Sequence, residues 1–333
     1  MQVTALIWVI TILVILGLFV FDFFAHVRTP HEPTFRESGF WSAVYIGLAL
    51  AFGGLVAWKW GGTYAGEYYA GFVTEKALSV DNLFIFLIIM STFAVPRIYQ
   101  QKVLLIGIVV ALVMRGVFIA VGAAAISAFS WVFYLFGLFL VYTAIKMVRE
   151  SGHEVEGEQK RDSRIVALTK RLVPTTESYD GDKLITRIDG RRVVTPMLLA
   201  LLAIGFADLL FALDSIPAIY GLTEEPYIVF TANAFALMGL RQLYFLIGGL
   251  LDRLVYLSYG LSAILAFIGV KLVLHALHEN TLPFINGGEH VSVPEISTGL
   301  SLSVIMGILV IATVASLLRT RGKARPQSAE PKE

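Results

Sequence analysis

Nine apolar stretches recur along the chain, and each is long enough to cross a lipid bilayer. A spanning helix needs about 20 predominantly apolar residues. The stretches lie at roughly 3–24, 41–58, 63–93, 103–122, 128–148, 195–219, 227–250, 255–276 and 298–318. Because the bilayer offers the backbone no water, such segments fold as helices. The sequence therefore predicts an all-α polytopic membrane protein with about nine transmembrane helices.

Composition narrows the classes of function. Hydrophobic residues make up 57% of the chain and charged residues 15%, whereas soluble domains are nearer one half and one quarter. The absence of cysteine excludes disulfides and thiolate metal sites. A net charge of +1 gives no electrostatic reason to expect a nucleic-acid partner. No phosphate-binding Gly-x-x-x-x-Gly-Lys fingerprint is visible, so we do not expect an ATP-driven pump. We also expect neither an enzyme nor a permanently bound cofactor.

The distribution of basic residues predicts the orientation. With the N-terminus outside, the cytoplasmic segments hold 20 of the 26 Lys and Arg residues. These segments are 25–40, 94–102, 149–194, 251–254 and 319–333. Such a bias places the C-terminus in the cytoplasm of a bacterial cell with the chain in its inner membrane. The first segment, 1–24, has no basic residue before its apolar run, so we interpret it as a retained helix rather than a cleaved signal.

Two polar regions lie outside the predicted spans. Residues 149–194 form a charged cytoplasmic linker with a short helix expected near Ile165–Leu172. Residues 319–333 form a basic tail, whose positive charge is typical of a segment that contacts anionic lipid.

The two halves on either side of the linker carry similar residues in the same order. The matched pairs are Glu75 and Asp208, Asp81 and Asp214, Asn82 and Ser215, Arg115 and Arg241, and Lys146 and Lys271. The pairs predict two three-helix repeats, at about 63–148 and 195–276. Because span three runs inward and span six outward, the repeats are inverted, as in many secondary transporters with a site near the midplane.

Four acids lie within these two spans, and burying a charge in a bilayer is costly unless the charge has a function or a partner. They are Glu75, Asp81, Asp208 and Asp214. One interpretation is structural, in which the acids neutralise bases of the bundle. The other is a cation site, which four acids in two matching clusters favour. With Asn82, the carboxylates form an oxygen ligand set of the kind that manganese, magnesium and calcium prefer.

Other residues have supporting roles in this hypothesis. Lys76, Arg115 and Arg241 are predicted to pair with the acids or to gate the site, since a guanidinium keeps its charge. Ser79, Ser215 and Asn233 are possible accessory oxygen donors, and Asp22 is a possible access group near the cytoplasmic end of span one. Pro217 is expected to break span six, because proline cannot donate to the carbonyl of Leu213, and Ser79–Asn82 is a second, weaker candidate break.

Several of these segments resemble the signature segments of the TerC/Alx family of integral membrane proteins. The segments are Glu75-Lys76, Ser79-Val-Asp81-Asn82-Leu-Phe84, Phe211-Ala-Leu-Asp214-Ser-Ile-Pro217-Ala-Ile219 and Gly239-Leu-Arg241-Gln-Leu-Tyr244-Phe245. The resemblance implies a relation to LysE-type exporters and an activity of manganese(II) export, with the acids of spans three and six carrying the ion. The family pattern has Glu where this chain has Gly205, and often Ser where it has Ala77.

Three functions stay open at this point. The first is manganese export against the membrane potential by proton antiport, with manganese(II) as the transported ion and protons as the counter-ion. The second is a membrane assembly or scaffold protein of the tellurium-resistance type, without transport. The third is export of another substrate, such as calcium or a basic amino acid. The oligomeric state is not predicted by the sequence.

Overall fold

The computed structural model describes residues 1–29, 31–129, 131–151, 179–188, 191–247, 256–279, 293–294 and 296–323. Helices dominate these ranges. They are α1 (Ala5–Asp22), α2 (Phe35–Trp60), α3 (Gly62–Thr92), α4 (Arg97–Ala128), α5 (Val132–Ser151), α6 (Pro196–Tyr220), α7 (Pro226–Met238), α8 (Leu240–Ile247), α9 (Leu257–Glu279) and α10 (Thr298–Lys323). A π-helical turn, Phe23–Val27, continues α1.

Eight helical segments in the described ranges are long and apolar enough to cross a membrane, where the sequence predicts nine. The difference is α3, which has 31 residues but carries Glu67, Glu75, Lys76 and Asp81. Every part of α3 that is long enough to span contains three or more charged side chains. The ninth span and the inverted repeats therefore stay predictions.

Short polar and proline signals set where the helices begin. Thr34 caps α2, because its side chain accepts from the Glu37 N–H at 3.2 Å while the Glu37 carboxylate accepts from the Thr34 N–H at 3.4 Å. Pro196 and Pro226 occupy the first turns of α6 and α7, where no intrahelical N–H is required.

The acid-bearing helix α3 lies inside the bundle. It packs against α2, α6, α7 and α10, while α4 packs against α6 and α7 and α5 packs against α9. By contrast, the most apolar windows of α1 and α10 are only 22% buried, which places these two helices at the periphery. The polar residues of α3 are therefore surrounded by helices.

A glycine divides the seventh predicted span. Pro226–Leu246 is long and apolar enough to cross a membrane, but it is two helices, because α7 ends at Met238 and α8 begins at Leu240. In an unbroken helix the Ala236 carbonyl would accept from the N–H four residues later. Here it accepts from Lys76 Nζ of α3 at 2.9 Å. A Cβ on Gly239 would lie 3.0 Å from that ammonium nitrogen, so the glycine gives Lys76 its space.

The predicted break at Pro217 is also wrong. Helix α6 continues through Pro217 to Tyr220. Pro217 is within a turn of the helix end, where its own carbonyl still accepts from the Gly221 N–H at 3.0 Å. The second candidate break, at Ser79–Asn82, does not occur either, because α3 is continuous across it.

Two short β-strands lie at the end of the predicted linker. Strands β1 (Ile185–Ile188) and β2 (Arg191–Val194) pair antiparallel, so the prediction of an all-α chain needs this correction. The Tyr179 hydroxyl joins the segment to the bundle by donating to the Phe93 carbonyl at 2.6 Å. The helix expected near 165–172 lies outside the described residues, as does the tail beyond 323.

Acidic side chains hold this hairpin segment near the start of α4. Lys102 pairs with Asp182, and this hydrogen bond lowers the pKa of the Asp182 carboxyl. The Thr186 hydroxyl and then Lys183 lower the pKa of Asp180. A carboxyl group whose pKa is lower in the folded than in the unfolded state stabilises the fold when the pH is above its ordinary pKa, 3.8 for aspartate. That stabilisation is lost as the pH falls through the lowered pKa of the folded state.

We therefore expect the hairpin to loosen in acid. Amide hydrogen exchange of β1 and β2, corrected for the intrinsic pH dependence, should show protection at neutral pH that is lost below the ordinary aspartate pKa. Lys102→Gln should reduce the protection already at neutral pH. Equal protection in acid and at neutral pH would contradict this account of the contact.

Helices α5 and α9 approach most closely at two glycines. A Cβ built on Gly269 would lie 2.8 Å from the Gly137 carbonyl oxygen and 2.9 Å from Val141 Cγ2. A Cβ on Gly137 would lie 2.8 Å from the Gly269 carbonyl oxygen. Small residues permit this backbone contact, which is a usual means of helix association in membranes.

Substitution at this crossing should destabilise the bundle. We expect Gly269→Ala to lower the free energy of unfolding by about 1–3 kcal/mol, because the two helices must separate. Gly47→Ala is the matched control, since a Cβ there meets nothing within 4 Å. Thermal unfolding in detergent measures both, and equal midpoints would exclude the close crossing.

Candidate cation site

A buried arginine is the centre of the candidate site. Arg115 of α4 is completely buried. Its Nε and Nη2 donate to the two carboxylate oxygens of Asp208, both at 3.0 Å. Its Nη1 donates to Glu75 Oε1, to Ser215 Oγ at 3.1 Å and to Asn233 Oδ1 at 2.8 Å. The guanidinium is therefore surrounded by oxygen atoms.

These oxygens come from three helices that meet at α4. Glu75 lies on α3, Asp208 and Ser215 on α6, and Asn233 on α7. Residues seven apart on a helix nearly eclipse, so Asp208 and Ser215 both reach the same guanidinium. Ser79, one turn after Glu75, donates to Glu75 Oε1 at 3.4 Å. No unwinding is needed, since the two carboxylates belong to different helices.

The cluster places two carboxyl groups around one guanidinium, which leaves one more negative than positive charge when both are ionised. Glu75 and Asp208 are 0% and 1% exposed, so solvent does not screen them. Among the described residues, Glu75 Oε2 and Asn233 Nδ2 are buried without a hydrogen-bond partner. A carboxylate oxygen in this state is costly, and it is an available ligand for a cation.

The structure places the other predicted residues as follows. Asp81 and Asp214 lie on α3 and α6, and their side chains are outside the described part of the chain. Asn82 is buried on α3. Lys76 follows Glu75, and its Nζ donates to the Ala236 carbonyl. Within the described residues no group of three or more Asp, Glu or His side chains is placed to hold a metal ion.

Arg241 does not join the acids of α3 and α6. It forms a second buried ion pair, in which Nη2 donates to Asp22 Oδ1 at 2.7 Å. The Tyr45 hydroxyl donates to the same oxygen at 2.7 Å, and Arg241 Nη1 donates to Gln101. Arg115 and Arg241, which the predicted repeats match to each other, thus pair with acids in two different clusters.

The sequence did not indicate several members of this second cluster. Tyr45, Gln101 and His26 have no charge pattern or motif that marks them, whereas Gln242 lies within the segment Gly239–Phe245 but was given no role. The intramembrane charges Asp22 and Arg241 were visible separately, but they are 219 residues apart. Only the fold brings them together.

The chain is similar to known membrane proteins over most of its length. The family model described as "Integral membrane protein TerC family" matches residues 60–324. An uncharacterized membrane protein of Mycobacterium tuberculosis, Rv2723, is 52% identical over 98% of this chain and 82% of its own length. The thylakoid membrane protein TERC of Arabidopsis thaliana is 39% identical over 85% of the chain and 70% of its own. Alx of Escherichia coli is 35% identical over 86% of each. No solved structure matches.

Removing the central guanidinium should destabilise the protein. Arg115→Met leaves two buried carboxylates unpaired, so we expect a loss of about 3–5 kcal/mol in the free energy of unfolding. Adding Glu75→Gln and Asp208→Asn to Arg115→Met should restore part of the lost free energy of unfolding, because the buried carboxylates are then replaced by neutral amides. Denaturation in bicelles measures the change.

The matched control is an arginine in an exposed ion pair. Arg97 and Glu32 are 76% and 51% exposed, so Arg97→Met should leave stability nearly unchanged. If Arg115→Met were equally harmless, Arg115 would not be the group that neutralises the buried acids.

Proposed function

Since the chain belongs to the TerC family of integral membrane proteins, we propose that it is a transporter that exports a divalent cation, with manganese(II) as its substrate and protons as counter-ions. The relation to LysE-type exporters and the inner-membrane location are part of the same proposal. So is the orientation with the N-terminus outside and the C-terminus in the cytoplasm.

The oxygen shell around Arg115 carries this proposal. Five hydrogen bonds from one guanidinium end on oxygens of Glu75, Asp208, Ser215 and Asn233. A shell that accommodates a bound guanidinium can accommodate a metal cation when the arginine withdraws. Two carboxylates would neutralise a divalent ion, whereas they leave one negative charge on a guanidinium.

The donor set favours hard cations. Carboxylate, hydroxyl and amide oxygens suit manganese, magnesium and calcium, and the second Glu75 oxygen supplies a sixth donor for octahedral coordination. Zinc more often binds through histidine or cysteine. The chain has no cysteine, and the hydrogen-bond partners of Arg115 among the described residues include no histidine. Asp81 and Asp214 are additional carboxylates one to two turns along the same helices.

In this mechanism the Arg115 side chain and the metal ion compete for the same carboxylate oxygens. The arginine holds the carboxylates together when no metal is bound, and the substrate displaces it. In this mechanism the arginine prevents the empty site from collecting protons or monovalent ions. Rocking of the two halves about the midplane would expose the site alternately to each side.

Export of a divalent cation needs a driving force. Moving one charge against 100 mV costs about 2.3 kcal/mol, so a divalent ion costs about twice that. Proton antiport supplies this energy in the simplest way. Asp81 or Asp214 would take protons from outside, release the metal there and lose protons on the cytoplasmic side.

The proposal is tested by manganese accumulation in cells that express variants of the site. We expect Glu75→Gln, Asp208→Asn, Asp81→Asn and Asp214→Asn to accumulate manganese like cells without the transporter. Glu224→Gln is the matched control, because Glu224 lies between α6 and α7 and its side chain is 56% exposed. Wild-type efflux in all four site variants would end the proposal.

Two further measurements separate the competing functions. Binding by the purified protein, compared across manganese, calcium, magnesium and zinc, distinguishes manganese export from calcium export. A scaffold should lose its function when part of the 149–194 linker is deleted, whereas a transporter should keep most of its flux. In the scaffold case the buried acids would affect stability and not ion movement.

A further inference from the structure

A small cavity lies beside the second buried ion pair, at the end of α1. His26, Glu37, Gln101, Arg241 and Gln242 are among its lining residues. Its volume is ≈ 10 Å³, which is about the least space that holds one water molecule. His26, Arg241 and Gln242 are 6%, 3% and 4% exposed, so the cavity wall is built from buried polar side chains.

Two of these side chains present polar atoms with opposite hydrogen-bonding needs. Arg241 Nε is a donor and Gln242 Oε1 an acceptor, and neither has a partner among the described residues. His26 Nδ1 lies 3.2 Å from Asp22 Oδ1 but outside hydrogen-bond geometry. Unpaired buried groups of this kind are usually satisfied by an ordered water.

The charges around the cavity exclude ions. A metal cation would be repelled by Arg241, which is always charged. An anion would be repelled by Glu37 and Asp22. A neutral molecule that both donates and accepts satisfies Arg241 Nε and Gln242 Oε1 together, and at this size the molecule is water.

We infer that this cavity binds a water molecule that connects Glu37 to His26 and Asp22, and that the chain of groups is a proton port between the solvent and the buried Asp22. The titratable and charged groups that face it are Asp22 from α1, His26 from the π-helical turn, His31 from the loop before α2, Glu37 and Tyr45 from α2, and Arg241 from α8.

The port reaches solvent through His31. Its Nε2 lies 3.2 Å from Glu37 Oε1, and the side chain is 38% exposed. Gln101 Nε2 donates to the His31 carbonyl at 2.9 Å and thereby fixes the loop. The hydrogen bond with the Thr29 carbonyl, and then that with Glu37, raise the pKa of His31. His31 thus joins Glu37 to solvent through a partly exposed imidazole.

The proton balance of the port is simple. For release, protonated Asp22 gives its proton to His26 and returns to the carboxylate, His26 gives one proton to the water, the water passes one to the Glu37 carboxylate, and Glu37 passes it through His31 to solvent. No other bond forms or breaks. The direction and its coupling to metal export rest on the proposed function, whereas the port itself does not.

The port is connected to the central site by α8. Arg241 and Gln242 lie on this helix, which begins directly after Gly239. Lys76, the neighbour of Glu75, binds the carbonyl one turn before Gly239. A displacement at the central site that moves Lys76 would therefore move the helix that carries the cavity wall.

Glu37→Gln is the decisive variant, because glutamine still completes the helix cap at this position but cannot carry the proton. In proteoliposomes with a pH dye, it should lower manganese-coupled proton flux about a hundredfold and leave manganese–manganese exchange unchanged. His275→Gln is the matched control, since His275 also faces a carboxylate, Glu224, at 2.9 Å. It should behave as wild type.

A second measurement does not depend on transport. In the histidine-labelled protein, the His26 resonances are identified by their loss in His26→Gln, and nuclear magnetic resonance follows their proton exchange with the bulk. We expect Glu37→Gln to slow this exchange about a hundredfold. Wild-type exchange of His26 in Glu37→Gln would overturn the port. If the wild-type protein moves no manganese, the proposed function fails. The proton port is then tested only by the comparison of His26 proton exchange in the wild type and in Glu37→Gln.

Discussion

The arrangement of the inner helices depends on one buried charge. Arg115 is fully buried in a bundle that the sequence places in lipid, and a charge in that position is stable only with compensating partners. Its partners are supplied by α3, α6 and α7, so the guanidinium fixes how these helices meet α4. The same contacts that hold the helices together collect the acids, which is why stability and the candidate site involve the same residues.

A second device acts where α7 meets α8. The glycine break frees a backbone carbonyl, and Lys76 satisfies it from the neighbouring helix. An ammonium group is favourable at the end of a helix, where the helix dipole is negative. The bundle therefore accommodates Lys76 at this helix end, and it gains a contact that links the Glu75 region to α8 and hence to the Asp22–Arg241 pair.

Together these features describe a protein with two buried charge clusters of different character. The central cluster has an excess of carboxylate oxygens and suits a cation. The peripheral cluster is nearly neutral, contains a histidine and a small polar cavity, and suits the movement of protons. Separation of the two clusters would give protons that leave Asp81 or Asp214 a passage to solvent apart from the metal ligands, while α8 connects the two clusters mechanically. In an antiporter such a division prevents the two ions from competing everywhere for the same ligands.

The sequence alone determined the membrane class, most span positions and the residues of chemical interest, since apolar length and intramembrane charge are local properties. Glu75, Asp208 and Arg115 were all identifiable in this way. It did not determine which acid each arginine neutralises. Arg241 binds Asp22, far away in the chain, and Lys76 binds a carbonyl, because partner choice depends on how helices pack. The position of the helix break was likewise decided by tertiary structure: Pro217 lies too close to a helix end to interrupt it, whereas Gly239 meets a lysine that replaces the lost hydrogen bond.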